Sequence, residues 1–226
     1  MDLYNIFGTL NTIFITVSLF GVYSQLRTVW QRKQMAPSGS TELLSTNQFT
    51  VSYLAYLSFF IYGYSIEPFN HYIVWPRLVA SILVTFILYE IWLDRRNRTS
   101  QITLSIALIT LLIALLGLLL GNAIVDEGKV ISTSIIIIVS ALIAQGYFHQ
   151  IRLIINTGKT GAVDLKMSQF ILLMDISTIA FAFSMGLNLG WPLLVLAVTS
   201  AITKLIIMYL FHWVKVSETA KQRRLA

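Results

Sequence analysis

The sequence contains no cysteine and few charged residues, and both features exclude whole classes of protein. Without cysteine the chain has no disulfide, no thiol nucleophile and no thiolate metal site. The three histidines show no metal-ligand spacing, and no glycine-rich phosphate loop or nucleophile elbow occurs, so nothing predicts an enzyme or a cofactor. Charged residues make up 12% of the chain and hydrophobic residues 56%, which is too little charge to cover a soluble domain. We therefore expect an integral membrane protein in contact with the lipid bilayer.

Seven apolar stretches are long enough to cross a membrane. A helix that spans the ~30 Å hydrocarbon core needs about 20 apolar residues. The predicted spans are residues 5–30, 47–65, 70–93, 101–121, 130–155, 165–187 and 190–213. At 226 residues we expect a single transmembrane domain over 1–226.

Basic residues alternate between the connections of these spans. The first, third and fifth connections and the C-terminal tail are basic, whereas the second and sixth contain no lysine or arginine. Because positively charged loops stay in the cytoplasm, we expect a multi-pass protein of the cell (inner) membrane with the N-terminus outside and the C-terminus cytoplasmic. The net charge of +6 is then a topology signal, and no nucleic-acid partner is predicted.

Two parts of the chain repeat each other. The matching segments are GVYSQLR (21–27) with GYFHQIR (146–152), and Trp75-Pro76 with Trp191-Pro192. This pattern predicts a three-helix repeat over 1–100, a linker helix over 101–128, and a second three-helix repeat with a basic tail over 129–226. One extra helix restores the chain direction, so the two repeats are expected to lie parallel.

This 3+1+3 plan resembles the SWEET sugar transporters and the wider PQ-loop superfamily. The segments that carry the resemblance are SQLRTVW, FFIYG, YIVWPRLVASILVTFILYEIW and HQIRLIINTGKTGAVDLKMSQFILLMD. The resemblance implies an all-α membrane fold of two parallel three-helix bundles that moves a small polar solute by alternating access. The chain departs from the family where Ser24-Gln25 and His149-Gln150 replace the Pro-Gln pairs, and where Arg77 replaces a pocket asparagine. A sugar is therefore not specifically implied.

Three charged residues, Arg77, Asp175 and Lys204, lie well inside the predicted spans. A charge at a helix centre costs about 2.5–3.5 kcal/mol to insert, so such groups usually face a cavity or pair with one another. Asp175 is too central and too short to reach the interface, whereas Arg77 has room to extend outward. Lys204 has the alternative role of neutralising Asp175. Ser168 and Thr178 share a helix face with Asp175, which predicts a polar stripe.

The resemblance also assigns roles to individual residues. Phe59 aligns with a pocket tryptophan and Ala55 lies one turn earlier; in the second repeat Asp175 matches Ala55 and Ile179 matches Phe59. The implied solute contacts are Ala55, Phe59, Arg77, Asp175, Ile179 and Lys204. The implied hinge or gate positions are Gln25, Gln150, Pro76 and Pro192.

The substrate and the coupling ion stay open at this point. Opposite charges suit a zwitterion such as an amino acid at least as well as a neutral sugar. Asp175 is the candidate proton carrier if it lies in a low-dielectric cavity, and pairing with Lys204 would oppose that role. Because both repeats lie in one chain, a monomer would suffice, and a homo-oligomer is the alternative.

Two other functions are compatible with seven helices. A receptor of the KDEL-retrieval type would use the basic tail as a cytoplasmic sorting surface. A retinal photoreceptor would use Lys204 in the seventh helix, although the third helix lacks the Arg-Tyr and Asp-Trp pattern of microbial rhodopsins.

Overall fold

The computed structural model describes residues 2–35, 40–41, 44–120, 125–158, 160 and 165–225, and this part of the chain is helical with no strand. The helices are α1 (Leu3–Met35), α2 (Thr46–Ser65), α3 (His71–Arg95), α4 (Arg98–Leu120), α5 (Val125–Thr157), α6 (Leu165–Ser184), α7 (Leu187–Val216) and α8 (Glu218–Leu225). Each of the seven predicted stretches coincides with one of α1 to α7, so the helix positions are confirmed. The short, charged α8 was not predicted.

Five helical segments within the described residues are long and apolar enough to cross a membrane. They are α1, α3, α4, the Lys129–Phe148 part of α5, and α7. Many of their large apolar side chains point outward, for example Leu119 at 81% exposure, which is the arrangement expected of lipid-facing helices. The protein is thus an all-α integral membrane protein.

The second and sixth predicted spans, α2 and α6, are not among the segments that are long and apolar enough to cross a membrane. In α2 the repeated tyrosine, serine and threonine side chains lower the hydropathy, although the helix is 20 residues long. In α6 the described apolar part, Ser168–Ser184, is shorter than a full span.

Polar caps fix several helix ends. The side chain of Ser45 accepts a hydrogen bond from the Gln48 amide at the start of α2, and Asn70 does the same for Ile73 at the start of α3. Such caps satisfy amides that have no partner within the helix. Helix α3 ends at Arg95 and is capped by Arg96, whose φ of 49° turns the chain so that α4 begins two residues later.

The chain divides into two compact units. The central unit comprises Ile15–Val139, and the terminal unit comprises Met1–Phe14 together with Ser140–Ala226. The division falls within α1 and within α5, so each of these helices contributes residues to both units. The predicted single domain with boundaries at 100 and 128 stays a prediction.

In the central unit, α2, α3 and α4 pack together around buried aromatic and aliphatic side chains. Fully buried Tyr53 donates its hydroxyl hydrogen bond to the carbonyl oxygen of Ala107 at 2.6 Å, with the Thr110 hydroxyl 2.9 Å away. Leu104 and Leu111 of α4 belong to the same core. The predicted linker helix is therefore a packed part of this unit as well as a connection.

In the terminal unit, α6 packs closely against α7. A Cβ atom at Gly190 would lie 2.1 Å from the carbonyl oxygen of Ala182, so only glycine permits this approach of the two backbones. Gly186, at a φ of 82°, forms the turn between the two helices. This tight hairpin carries Asp175 on one helix and Lys204 on the other.

Candidate functional site

Lys204 is buried in the apolar helix α7, with 6% of its surface exposed. Its ammonium nitrogen lies 4.2 Å from the ring centroid of Tyr147 in α5. A desolvated cation on an aromatic face is stabilised by about 2 kcal/mol, which offsets part of the burial penalty. Ser200, one turn earlier on α7, is buried as well. Tyr147 was not predicted as a site residue, because the segment that contains it, residues 146–152, was identified only as one copy of the internal repeat.

Asp175 is buried in α6 and interacts electrostatically with Lys204. The two helices that carry these charges are the closely packed α6 and α7 pair. Ser168 and Thr178, the other members of the predicted polar stripe, are buried with Asp175. Opposite charges placed in one compact unit reduce the cost that each would have alone in an apolar interior.

A buried amide extends this polar region. Asn11 of α1 is 1% exposed, and its side-chain oxygen accepts hydrogen bonds from Ser177 Oγ at 3.2 Å and from Thr178 Oγ1 at 2.9 Å. Thr178 lies one helical turn after Asp175, so the amide belongs to the same region of the terminal unit. Asn11 could have been recognised in the sequence as an amide within an apolar stretch, but a search for charged side chains alone does not find it.

The named residues of the terminal unit form what we call the charged cluster: Asn11, Tyr147, Asp175, Thr178 and Lys204. The cluster brings two of the predicted solute contacts together, Asp175 and Lys204. Ile179, a third, follows Thr178 on α6 and is half-buried. Helices α1, α5, α6 and α7 each contribute a side chain, so the cluster depends on the packed unit and not on one segment.

The central unit holds a second buried cation. Arg77 of α3 is 7% exposed, and its guanidinium carbon lies 5.2 Å from the ring centroid of Phe59 and 5.7 Å from that of Tyr56. Phe59 and Arg77, which were each predicted as solute contacts, therefore lie together. Arg77 does not extend into solvent, because two aromatic rings of α2 supply faces for the guanidinium. Ala55, one turn before Phe59, is half-buried, and its carbonyl oxygen accepts a hydrogen bond from Ser58.

The four predicted hinge or gate positions have different surroundings. Pro76 and Pro192 are both buried, and each is the sixth residue of its helix, α3 and α7 respectively. Gln25 is exposed on α1. The side chain of Gln150 lies outside the described residues. Their role in movement stays a prediction.

An unpredicted polar network joins α1 to α3 within the central unit. Glu90 is 8% exposed and accepts hydrogen bonds from the Trp30 indole at 3.0 Å and from the Lys33 ammonium at 2.7 Å. One turn later, Asp94 accepts from the amide and the hydroxyl of Thr41. The network fixes the end of α3 that was predicted to face the cytoplasm.

The buried charges and the apolar helices define the class of this protein as an all-helical membrane protein with charged residues buried among the helices of each unit. No protein-family model and no curated protein matches the chain. Over the described residues, no group of three or more histidine, aspartate or glutamate side chains is placed to hold a metal ion. The relation to SWEET and PQ-loop transporters therefore stays a prediction from the quoted segments.

Proposed function

We propose that this protein is a seven-span transporter of the 3+1+3 plan that moves a small polar solute across the membrane by alternating access. The observation that carries the proposal is the charged cluster, in which Asp175 and Lys204 are both buried within apolar helices. A charge retained inside a membrane protein at this cost usually serves a solute or ion pathway. The N-terminus would lie outside and the C-terminus in the cytoplasm.

A buried guanidinium at Arg77 suits a solute that carries a carboxylate at least as well as a neutral sugar. Arg77 is buried, and its guanidinium stacks on the rings of Phe59 and Tyr56. A guanidinium binds a carboxylate through charge-assisted hydrogen bonds. Amino acids are accordingly the first solutes to test, with hexoses as the comparison.

Asp175 is proposed as the solute or proton site of the terminal unit. The test is uptake of labelled amino acids and hexoses into proteoliposomes, with and without an inward-acid pH gradient. Asp175→Asn should abolish uptake or remove its dependence on the gradient. Asp2→Asn, which removes an exposed acid, is the matched control and should leave uptake unchanged. Equal uptake by wild type and Asp175→Asn would show that Asp175 is only a structural partner of Lys204.

A retinal pigment is the second candidate, because Lys204 is a buried lysine that interacts electrostatically with Asp175, and a carboxylate counterion stabilises a protonated Schiff base. Purified protein incubated with retinal would then absorb visible light, and Lys204→Ala would abolish the band. Lack of any band in the wild-type protein would exclude the pigment and leave the transporter proposal in place.

A further inference from the structure

The C-terminal helix α8 is fixed against the end of α5. Gly158, which follows α5 with a φ of 62°, lies so close to α8 that a Cβ atom there would be 2.3 Å from the carbonyl oxygen of Ala220. Ala220 is fully buried, and Arg223 donates a hydrogen bond to the carbonyl oxygen of Ile155 at 2.5 Å. The tail is therefore a packed element of the terminal unit, where the sequence predicted only a basic segment.

An open cavity of about 560 Å³ lies where α7 meets α8. Its lining residues are Lys215, Val216, Ser217, Glu218, Lys221 and Arg224. Three cations face one acid here, and the pair formed by Lys221 and Glu218 is long, at 3.9 Å, with both side chains largely exposed. Such a pair contributes little, so the cavity has an excess of positive charge. We call it the basic cavity.

The basic cavity begins where the apolar helix α7 ends. Helix α7 is long and apolar enough to cross a membrane, and its last residue, Val216, is 67% exposed. Lys215 and Val216 thus place a cation and an outward-facing apolar side chain next to each other at the expected membrane surface. An anionic phospholipid presents the complementary groups, a negatively charged phosphate at the membrane surface and apolar acyl chains beneath it.

We propose that the basic cavity binds the headgroup of an anionic phospholipid from the surrounding leaflet. Lys215, Lys221 and Arg224 would hold the phosphate through charge-assisted hydrogen bonds, and Val216 would contact the acyl chain. The contacts of Ala220 with Gly158 and of Arg223 with Ile155 fix the helix that carries Lys221 and Arg224 before the lipid arrives, so that only the side chains are ordered on binding. This site is separate from the charged cluster and does not depend on the transport proposal.

The test is native mass spectrometry of delipidated protein titrated with dioctanoyl phosphatidylglycerol, dioctanoyl phosphatidylcholine or inorganic phosphate. The cavity variant combines K215Q, K221Q and R224Q. The matched control combines R27Q, R32Q and R98Q, which also removes three exposed cations predicted to face the cytoplasm. All six replaced side chains are exposed, so both proteins should fold, and unchanged thermal transitions without lipid verify this.

Wild type should bind phosphatidylglycerol at least about 10-fold more tightly than phosphatidylcholine. The cavity variant should lose about 100-fold in affinity for phosphatidylglycerol, the product of three basic residues acting at an anionic headgroup. The control should change by less than about 3-fold. An equal loss in both variants, equal binding of the two lipids, or full displacement of the lipid by equimolar phosphate would overturn the proposal. If the cavity variant is unstable, K221Q alone should still lower the affinity by about 5-fold.

Discussion

Replacing Gly190 with alanine tests the close packing of α6 on α7, the helix pair that carries Asp175 and Lys204. The added methyl carbon would lie 2.1 Å from the carbonyl oxygen and 2.7 Å from the carbonyl carbon of Ala182. Carbon atoms are at their best separation near ~3.5–4.0 Å, so the two backbones must move apart by most of an ångström. Both clashing atoms of Ala182 belong to the main chain, and no side-chain rotation relieves the contact.

The expected change in unfolding free energy is the difference between a packing penalty and a gain in helix stability. Forcing an extra methyl group into a packed interior costs about 1–3 kcal/mol, and the upper half applies where backbone must shift. Replacing glycine by alanine within a helix stabilises the helix by about 0.5–1 kcal/mol. The net destabilisation is then about 2 kcal/mol, which lowers the melting temperature of a chain of this size by about 4–8 °C. Thermal unfolding of the purified protein in one detergent measures it.

Gly146→Ala is the matched control in the same unit. Gly146 lies in α5, and an added Cβ would have no atom within 4 Å, so only the gain in helix stability applies. Its melting temperature should rise by about 1–3 °C. If Gly190→Ala also raised the melting temperature, the approach of α6 to α7 described above would be wrong.

Two further substitutions test buried hydrogen bonds, each against an exposed residue of the same type. Tyr53→Phe removes the hydroxyl that bonds to α4 and should cost about 1 kcal/mol, seen as a fall of about 2–4 °C in melting temperature, whereas Tyr23→Phe should leave it unchanged. Asn11→Ala removes one of two acceptors, the other being the Met174 carbonyl oxygen, that lie within reach of the Ser177 and Thr178 hydroxyls, and it should cost about 1 kcal/mol, whereas Asn188→Ala at an exposed position of α7 should have no effect. An Asn11→Ala protein as stable as wild type would contradict the polar contact between α1 and α6.

Helix positions were predictable from the sequence because a lipid-spanning segment must be continuously apolar over a fixed length. That rule predicted the positions of α1 to α7, although only five of them hold a described segment long and apolar enough to cross a membrane. It fails for α8 because a short surface helix has no such length or composition. The position of α8 depends instead on a tertiary contact between Gly158 and Ala220, which no local sequence pattern predicts.

The candidate site was predictable in part. Asp175, Lys204 and Arg77 stand out because each is a charge within an apolar stretch. Tyr147 carries no charge and is recognised only because the fold places it beside Lys204. Asn11 is an amide in an apolar stretch, which a search for charges alone does not find, and the fold places it beside Thr178. The family resemblance implied that Arg77 and Phe59 each contact the solute, but their contact with one another was not predicted, since nothing in the spacing of these two residues on separate helices requires it.

The two buried cations share a physical arrangement that bears on the proposed transport. Lys204 lies over the ring of Tyr147, and Arg77 lies over the rings of Phe59 and Tyr56. A ring stabilises a cation without cancelling its charge, whereas a carboxylate neutralises it. In the terminal unit Lys204 also interacts electrostatically with Asp175, so a ring and a carboxylate act on the same cation. Under the transporter proposal Asp175 is therefore the residue of the terminal unit that would meet a proton or the positive group of a solute.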